Sequence, residues 1–235
     1  MKNSLIEENP FKIKQIAEEW ISIVENNERE STSRKDFVYP LLEKTVNELK
    51  PRMILEIGSG QGICSSKIGN NFGMYTGVEP SEFLVEHAVK KYGDKKRVFA
   101  VGDAYELPLV TASVDFAFSI MAWFHIQNIS KASREMSRVL KKGGKFLIVT
   151  AHPNMYSVWQ TFFDDPEVDD EKIVGKINTP TGSMVKNIIY KYPLDSILSE
   201  LGNNAELFVE STEGFGYGEK YGDCGLFILI EGIKQ

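Results

Sequence analysis

Short apolar segments alternate with amphipathic segments along the middle of this chain, and this alternation restricts the possible folds more than any other feature. Strand patterns cover Met53–Ile57, Met74–Glu79, Arg97–Val101, Val114–Ile120 and Lys145–Ala151, and helical patterns separate most of them. Parallel strands need long crossover connections, which are usually helices that pack on both faces of the sheet. The sequence therefore predicts an α/β fold with a doubly wound, mostly parallel sheet.

The two ends of the chain depart from this alternation. Residues 10–27 and 36–50 carry apolar side chains at spacings of three and four, which is typical of amphipathic helices. Residues 152–190 are irregular, aromatic and acidic. Two further strands, Glu206–Ser211 and Leu226–Ile233, flank a glycine-rich loop and are predicted to form a hairpin at one sheet edge. The complete sheet then has seven strands, and the last one is antiparallel.

The composition excludes several classes of protein. Of the 235 residues, 42% are apolar and 26% are charged, a balance typical of folded globular chains rather than disordered ones. The net charge of −6 predicts no nucleic-acid partner, because few cations are available to neutralise phosphates. Cys64 and Cys224 lie far apart, so we expect no metal site and a reducing, cytoplasmic location. No apolar run approaches the ~20 residues of a membrane span, so no membrane association is expected.

A glycine loop follows the first predicted strand. Gly58, Gly60 and Gly62 have the spacing GxGxG, and Glu56 lies inside the strand just before them. Ligands bind at the carboxyl ends of the strands in such sheets, where glycines let the backbone approach them closely. Glu79 ends the second strand, where a carboxylate can accept both hydrogens of a ribose diol. The alternatives are a tight turn with nothing bound and, less well matched to this spacing, the dinucleotide site of a nicotinamide oxidoreductase.

Five segments in the correct order then resemble the class I S-adenosylmethionine-dependent methyltransferases, of the small-molecule type similar to methyltransferase domains 11 and 25. The segments are Ile54-Leu-Glu-Ile-Gly-Ser-Gly-Gln-Gly62, Gly77-Val-Glu-Pro-Ser81, Val101-Gly-Asp-Ala-Tyr-Glu-Leu-Pro108, Ser113-Val-Asp-Phe-Ala-Phe-Ser-Ile120 and Arg138-Val-Leu-Lys-Lys-Gly-Gly-Lys-Phe-Leu-Ile148. The likeness spans residues 34–151. It implies a Rossmann-like fold, S-adenosylmethionine as the cofactor and a small-molecule methyl acceptor.

The resemblance assigns groups of residues to parts of the cofactor. The methionine part is assigned to Glu56, Gly58, Ser59, Gly60 and Gly62, and its carboxylate also to Arg34 and Tyr39. The ribose is assigned to Glu79 and the adenine to Pro80, Asp103 and Ala104. Ser119 and Ile120 are expected near the sulfonium. We expect one domain, in which residues 1–50 form a helical cover, residues 51–151 the S-adenosylmethionine-binding core, and residues 152–235 a substrate lid and the closing hairpin.

Methyl transfer from a sulfonium is an in-line displacement that depends mainly on alignment, so the chemistry requires no covalent nucleophile or metal. A base is needed where the attacking atom carries a proton that is hard to lose, and His125, after the fourth strand, is the candidate. Its alternative role is packing in an aromatic turn. The predicted substrate wall consists of His152, Tyr156, Trp159, Tyr217 and Tyr221, although such aromatics also form satellite apolar clusters.

Other readings of the function stay open at this point. A regulatory protein that binds S-adenosylmethionine without turnover has the same motifs, because this chemistry has no indispensable side chain. A protein or RNA methyltransferase is a rival within the class. The acidic run from Asp164 to Glu171 is expected to be a solvated surface, with attraction of an amine substrate as the alternative. The acceptor atom and the oligomeric state are not readable from the sequence.

Overall fold

The computed structural model describes residues 9–26, 34–178, 184–216 and 225–235. Its ten strands are β1 (Met53–Ile57), β2 (Met74–Glu79), β3 (Arg97–Val101), β4 (Val114–Ile120), β5 (Leu140–Ala151), β6 (Asp164–Val168), β7 (Lys172–Asn178), β8 (Met184–Tyr190), β9 (Leu207–Phe215) and β10 (Phe227–Lys234). Seven of them form the central sheet in the order β3-β2-β1-β4-β5-β10-β9. The first five strands pair in parallel, and β10 is antiparallel to both β5 and β9. The predicted sheet is confirmed.

The helices are α1 (Lys14–Asn26), α2 (Tyr39–Leu49), α3 (Glu82–Tyr92), α4 (Ile129–Val139), α5 (Tyr156–Trp159) and α6 (Leu194–Ala205). A π-helical turn, Arg34–Val38, leads into α2, whose first turn contains Pro40. Helices cover both faces of the sheet. Neighbouring residues of β1 therefore enter separate cores, because Ile54 packs in the cluster of Val46 and Leu55 in the cluster of Met136.

The segment after the glycine loop is shorter than the sequence predicts. The sequence predicts a helix from the end of the glycine loop at Gly62 to about Asn70, but only a 3₁₀ turn forms there, at Ile63–Ser66. The hydroxyls of Ser65 and Ser66 donate to the carbonyl oxygens of Gly62 and Ile63, each at 2.7 Å. Such side-chain hydrogen bonds to the backbone compete with helical ones, which explains why the prediction was wrong.

The region that the sequence presents as irregular contains a second sheet. Strands β6, β7 and β8 pair antiparallel in that order, and we call them the small sheet. One face of β7 and β8 is buried through Ile173 and Ile189. The acidic residues of β6 and of the following turn are exposed, as expected for a solvated surface.

The N-terminal segment is attached to the core at two points. The Ser81 hydroxyl donates a hydrogen bond to the backbone oxygen of Phe11. The Glu25 carboxylate, near the end of α1, lies 3.0 Å from Nε2 of His87 and accepts a hydrogen bond from the Tyr92 hydroxyl at 3.0 Å. The first contact joins the segment before α1 to the start of α3, and the second holds α1 itself against α3. Within the four described ranges, no helix has both the length and the apolar character needed to cross a membrane.

Candidate active site

A cavity of about 590 Å³ opens at the carboxyl ends of β1, β2 and β4. Its size falls in the range of ~300–1,000 Å³ that is usual for small-molecule sites. The glycine loop lines one end, and residues from the small sheet and the segment after β4 line the other. Trp20 and Val24 of α1 also belong to the lining. The cavity therefore lies between the N-terminal helix, the central sheet and the small sheet.

The glycine loop is held against β2 by its backbone. The amide nitrogens of Gly58 and Ser59 donate to the carbonyl oxygen of Val78 at 2.8 and 3.1 Å. Gly58 and Gly60 have φ values of +73° and +53°, which favour glycine because it has no Cβ. A Cβ on Gly58 would also lie 2.3 Å from Cβ of Ala122. The chain needs glycine here to turn sharply at the cavity wall.

Glu79 sits at the end of β2 and faces this loop. Its Oε2 accepts from the amide of Gly60 at 3.1 Å, and its Oε1 accepts from the amide of Ser81 at 3.0 Å. The side chain is buried, and this burial raises its pKa to about 7 against the pull of the two hydrogen bonds. The carboxylate is thus fixed where the loop, β2 and the cavity meet.

Glu56 is the second buried carboxylate of the lining. The Tyr75 hydroxyl donates a hydrogen bond to its Oε2. Burial raises the pKa of Glu56 to about 8, while hydrogen bonds from Tyr75 and Cys64 act in the opposite direction. The group is therefore mostly protonated at neutral pH, and a cation beside it would favour the charged form.

Asp103 and Ala104 line the cavity from the turn after β3. Oδ1 of Asp103 accepts from the amides of Tyr105 at 2.7 Å and Glu106 at 3.2 Å, which fixes the turn. Sequence reasoning missed how the rest of this loop is held. Arg138 of α4 donates to the backbone oxygens of Leu107 and Leu109, each at 2.9 Å. Arg138 begins the last of the five segments that resemble the family, but the resemblance predicts no contact for it.

His125 lies on the cavity wall in the turn after β4. Its Nδ1 is 2.5 Å from the carbonyl oxygen of Ile188 in β8. A carbonyl oxygen only accepts, so Nδ1 carries the hydrogen and the neutral ring keeps its lone pair on Nε2. Burial lowers the pKa of His125 to about 4. At neutral pH the ring is therefore uncharged and can accept a hydrogen bond or a proton.

Asn187 is a lining residue that sequence reasoning missed. It is 7% exposed and lies on the same face of β8 as Ile189, opposite Gly175 of β7. A polar residue within the alternating apolar side of β8 is the signal that was available. Without knowledge of the strand, that alternation carries little weight.

Many of the predicted site residues meet at this cavity. Its lining includes Arg34, Glu56, Gly58, Ser59, Gly60, Glu79, Pro80, Asp103, Ala104, Ile120, His125 and Trp159. Trp159 also donates from Nε1 to the backbone oxygen of Leu226 at 3.1 Å. Tyr217 and Tyr221 lie outside the described residues.

Three residues assigned to the cofactor are not part of the lining. Gly62 packs under the Phe99 ring, which a Cβ would approach to 2.8 Å. Ser119 is fully buried within β4. Tyr39 is buried in the first turn of α2, where the Lys67 amine lies 5.6 Å from its ring centroid. These three positions fit the family pattern along the chain, and the structure places them beside the cavity lining rather than in it.

Two residues assigned to the substrate wall are also elsewhere. His152 is buried, and its Nδ1 accepts from the amide of Asn154 at 3.2 Å, so it caps the turn after β5. The Tyr156 hydroxyl makes two hydrogen bonds to the backbone of Tyr192. It accepts from the amide at 3.0 Å and donates to the carbonyl oxygen at 3.3 Å. Both side chains fix the backbone around the small sheet.

Comparisons with known sequences find one matching family model and several similar proteins. Residues 55–148 match a family model described as a methyltransferase domain. The biotin biosynthesis bifunctional protein BioHC of Cellvibrio japonicus is 25% identical over 176 residues, which cover 73% of this chain and 32% of that protein. An O-methyltransferase of Pyrenophora dematioidea is 27% identical over 157 residues, which cover 60% of this chain and 59% of the relative. The chain thus spans only about a third to three fifths of the length of these relatives.

Solved structures share the fold. A protein of Pyrococcus horikoshii OT3 superposes with a TM-score of 0.73 and 19% identity, over 95% of this chain and all of that chain (100%). An S-adenosylmethionine-dependent methyltransferase from Mesorhizobium loti superposes with a TM-score of 0.60 and 18% identity. The match covers 83% of this chain and 96% of that chain. The matched segment, residues 55–148, contains the glycine loop and lies within the fold that these structures share, so this part of the chain resembles S-adenosylmethionine-dependent methyltransferases. S-adenosylmethionine is the cofactor named for the second of these structures.

The residues around the glycine loop fit that cofactor. The Ser59 hydroxyl is buried in the lining and has no hydrogen-bond partner among the described residues. A Cβ on Gly60 would meet nothing within 4 Å, so the cavity is open beside the loop. Glu56, Glu79 and Asp103 provide carboxylates for ammonium, hydroxyl and amino groups. A buried polar group without a partner is costly, which supports a polar ligand at this end.

Proposed function

We propose that this chain transfers a methyl group from S-adenosylmethionine to a small-molecule acceptor. The observation that carries the proposal is that one cavity is lined both by the glycine loop with Glu79 and by His125 with the small sheet. A donor held at the first end would face an acceptor held at the second. In this proposal residues 1–50 cover the cavity, residues 51–151 bind the cofactor, and residues 152–235 select the acceptor.

S-adenosylmethionine, when bound, supplies a methyl group activated by a positively charged sulfur. The residues of the chain then provide positioning, which accounts for much of the catalysis of displacements like this one. Glu79 accepts hydrogen bonds from ribose hydroxyls, Asp103 lies at the adenine, and Glu56 pairs with the ammonium group. Aromatic side chains such as Phe124 and Trp159 exclude water from the other end. His125 holds Nε2 ready to accept the proton of an acceptor hydroxyl.

The size of the cavity and the net charge of the chain support a small acceptor. A cavity of about 590 Å³ that is bounded by α1 and the small sheet suits a small molecule better than a folded macromolecule. The net charge of −6 disfavours nucleic acid. The match to a methyltransferase domain also favours this reading over the nicotinamide oxidoreductase. Sparse cysteines support activity in the cytoplasm.

Titration calorimetry with S-adenosylmethionine, S-adenosylhomocysteine and NAD tests the cofactor. We expect binding of the two adenosyl-sulfur ligands and an affinity for them that falls at least about tenfold in Glu79→Ala, since a charged hydrogen-bond partner is lost. Glu86→Ala is the matched control, because Glu86 is exposed on α3 and outside the lining. Binding of NAD alone would contradict the proposal.

Incubation with methyl-labelled cofactor and a small-molecule metabolite extract tests the reaction. We expect label in the low-mass fraction, and none when the extract or the protein is left out. Label that enters only added protein or RNA would contradict a small-molecule acceptor. Cofactor binding without transfer to any fraction would favour the regulatory alternative.

A further inference from the structure

The end of the cavity that the small sheet bounds is mainly apolar. Its lining includes Phe124, Trp159, Phe163, Ile177 and Ile189. Trp159 and Phe124 pack together with ring centroids 5.7 Å apart, and Phe163 and Ile189 are buried in the same cluster. Such a surface binds an apolar ligand by shape but does not fix its orientation. Orientation of a ligand there has to come from the few polar groups present.

Asn187 is one of these polar groups. Its Oδ1 accepts from the amide of Ile188 at 2.8 Å, and because that amide is a donor, the oxygen and nitrogen of the side chain are distinguished. Among the described residues, the Asn187 amide nitrogen makes no hydrogen bond. Two N–H donors on a residue that is 7% exposed and lines the cavity are therefore available to a ligand.

His125 is the second polar group, and the backbone places it next to the first. Its Nδ1 donates to the oxygen of Ile188, the residue that follows Asn187. The neutral ring leaves Nε2 as an acceptor. The two side chains thus offer a donor and an acceptor from neighbouring positions in a largely apolar environment.

Charges line only the other parts of the cavity, as far as the structure describes it. Lys12, Arg34, Glu56, Glu79 and Asp103 come from the N-terminal segment and the cofactor end. Neither the small sheet nor the turn of His125 contributes a charged side chain to the described lining, and burial keeps His125 neutral by lowering its pKa to about 4. An ionised group on the acceptor would lose its hydration there without gaining a charged partner, which disfavours its binding.

Resting on the proposed function, we infer that the methyl acceptor is an uncharged, largely apolar molecule that carries a hydroxyl group beside a second oxygen. The Asn187 amide donates to the second oxygen, and His125 accepts from the hydroxyl. As the hydroxyl oxygen bonds to the methyl carbon, its proton passes to Nε2 of His125. The electron pair of the broken methyl–sulfur bond stays on sulfur. The products are a methyl ether and S-adenosylhomocysteine, and the imidazolium then releases its proton to water.

A weak base suffices for this step. The acceptor oxygen becomes strongly acidic while it gains the methyl group, because a protonated ether is a far stronger acid than an alcohol or a phenol. His125 therefore needs to be neutral and correctly oriented rather than strongly basic. The hydrogen bond from Nδ1 to Ile188 provides that orientation.

Four related phenols test the inference by calorimetry in the presence of saturating S-adenosylhomocysteine. Ortho-hydroxyacetophenone has the inferred pair of oxygens, and para-hydroxyacetophenone separates them. Salicylate adds a negative charge, and ortho-hydroxybenzylamine adds a positive one. We expect the first compound to bind at least about tenfold more tightly than the other three. Equal or tighter binding of a charged compound would overturn the inference, as would binding of none of the four.

Variants of Asn187 assign the preference to that side chain. Asn187→Leu removes the amide at similar volume, and Asn187→Asp keeps the shape but replaces the donor with an acceptor. In both variants the ratio of the affinity for ortho-hydroxyacetophenone to the affinity for the other compounds is expected to fall about tenfold. Thermal unfolding confirms that both variants fold. Lys186→Gln, on the opposite face of β8, is expected to retain it. An unchanged preference in a folded Asn187 variant would overturn the inference, whereas failure of the wild type to bind S-adenosylhomocysteine would instead refute the proposed function.

Discussion

Nδ1 of His125 lies 2.5 Å from the backbone oxygen of Ile188 and so joins the turn after β4 to the small sheet. The contact fixes the tautomer of the imidazole and aims its free nitrogen. A segment that the central fold does not require, β6 to β8, thereby sets the state of the residue proposed to accept the proton.

The pH dependence of turnover tests this arrangement. Burial lowers the pKa of His125 to about 4, so the neutral, proton-accepting form persists well below the usual range of histidine. With cofactor and ortho-hydroxyacetophenone both saturating, kcat is expected to stay constant from about pH 8 to pH 5, whereas an ordinary histidine base with a pKa of about 6.5 would lose activity. His125→Gln is expected to lower kcat by about 10²-fold or more. A wild-type inflection between pH 6 and 7 that vanishes in the variant would contradict the prediction.

Cofactor affinity is expected to depend on pH through Glu56. Its pKa of about 8 means that the free protein carries a protonated carboxyl at neutral pH. A bound ammonium group favours the carboxylate, so binding releases a proton and affinity rises as the pH increases from about 6 to 8. Calorimetry of S-adenosylmethionine in buffers of different ionisation enthalpy measures this release. Glu56→Gln is expected to reduce it, while the exposed Glu86→Gln leaves it unchanged; equal proton release in both variants would argue against Glu56.

The same carboxyl group affects folding stability. The folded pKa of Glu56 lies above its ordinary value of 4.5, so its contribution is complete below about pH 4.5 and is lost as the pH rises through about 8. Glu56→Gln preserves an oxygen that can accept from the Tyr75 hydroxyl and has no proton to lose. Relative to wild type, the variant is expected to gain roughly 3 kcal/mol of unfolding free energy between about pH 5 and pH 8. Urea unfolding at the two pH values measures the difference, and parallel pH trends for the two proteins would count against the assignment.

The sequence predicted the central sheet well because each strand has its own local signal. Met53–Ile57 and Val114–Ile120 are apolar runs of strand length, and the glycine loop identifies the edge at which a ligand binds. The small sheet was missed because β6 is Asp-Asp-Pro-Glu-Val, which has no apolar alternation and includes a proline. Strand β6 pairs with β7 across the short turn of residues 169–171, but this acidic turn lacks the glycine or asparagine that would indicate a hairpin.

The site was predicted in part for a related reason. Motifs locate residues at a sheet edge, but side-chain direction depends on packing. Gly62 and Tyr39 follow the family pattern but lie outside the lining, since Gly62 packs against Phe99 and Tyr39 is buried in the cluster of Leu42 and Val46. Asn187 has no motif, and it reaches the cavity only because β8 folds back over the central sheet.

Arg138 is expected to support the cofactor end of the cavity from a distance. It binds the backbone oxygens of Leu107 and Leu109 and pairs with Glu135, whose other oxygen accepts from the amide of Leu107 at 2.9 Å. Lysine has a point charge and cannot reproduce this planar set of donors. Arg138→Lys is expected to lose about 1–3 kcal/mol of stability in chemical unfolding. A matched Arg134→Lys change, at an exposed position of the same helix, is expected to leave stability unchanged. Equal losses of stability in the two variants would argue against a specific role for the Arg138 hydrogen bonds.

The attachment of α1 is expected to control access to the cavity. Trp20 and Val24 line the cavity, and Glu25 on the same helix binds His87, Lys91 and Tyr92 of α3. Glu25→Gln removes the charge that these three donors share, so the helix is expected to lose about 1–2 kcal/mol of local stability. Hydrogen exchange measures the change, which is expected as faster exchange of the amides of α1 with little change in the central strands. Glu18→Gln, at an exposed position of the same helix, is the control.

Bound S-adenosylhomocysteine is expected to slow exchange in α1 of both variants, because the ligand stabilises the state in which α1 covers the cavity. Equal exchange of α1 in the two unliganded variants would show that the Glu25 contacts do not hold the helix in place.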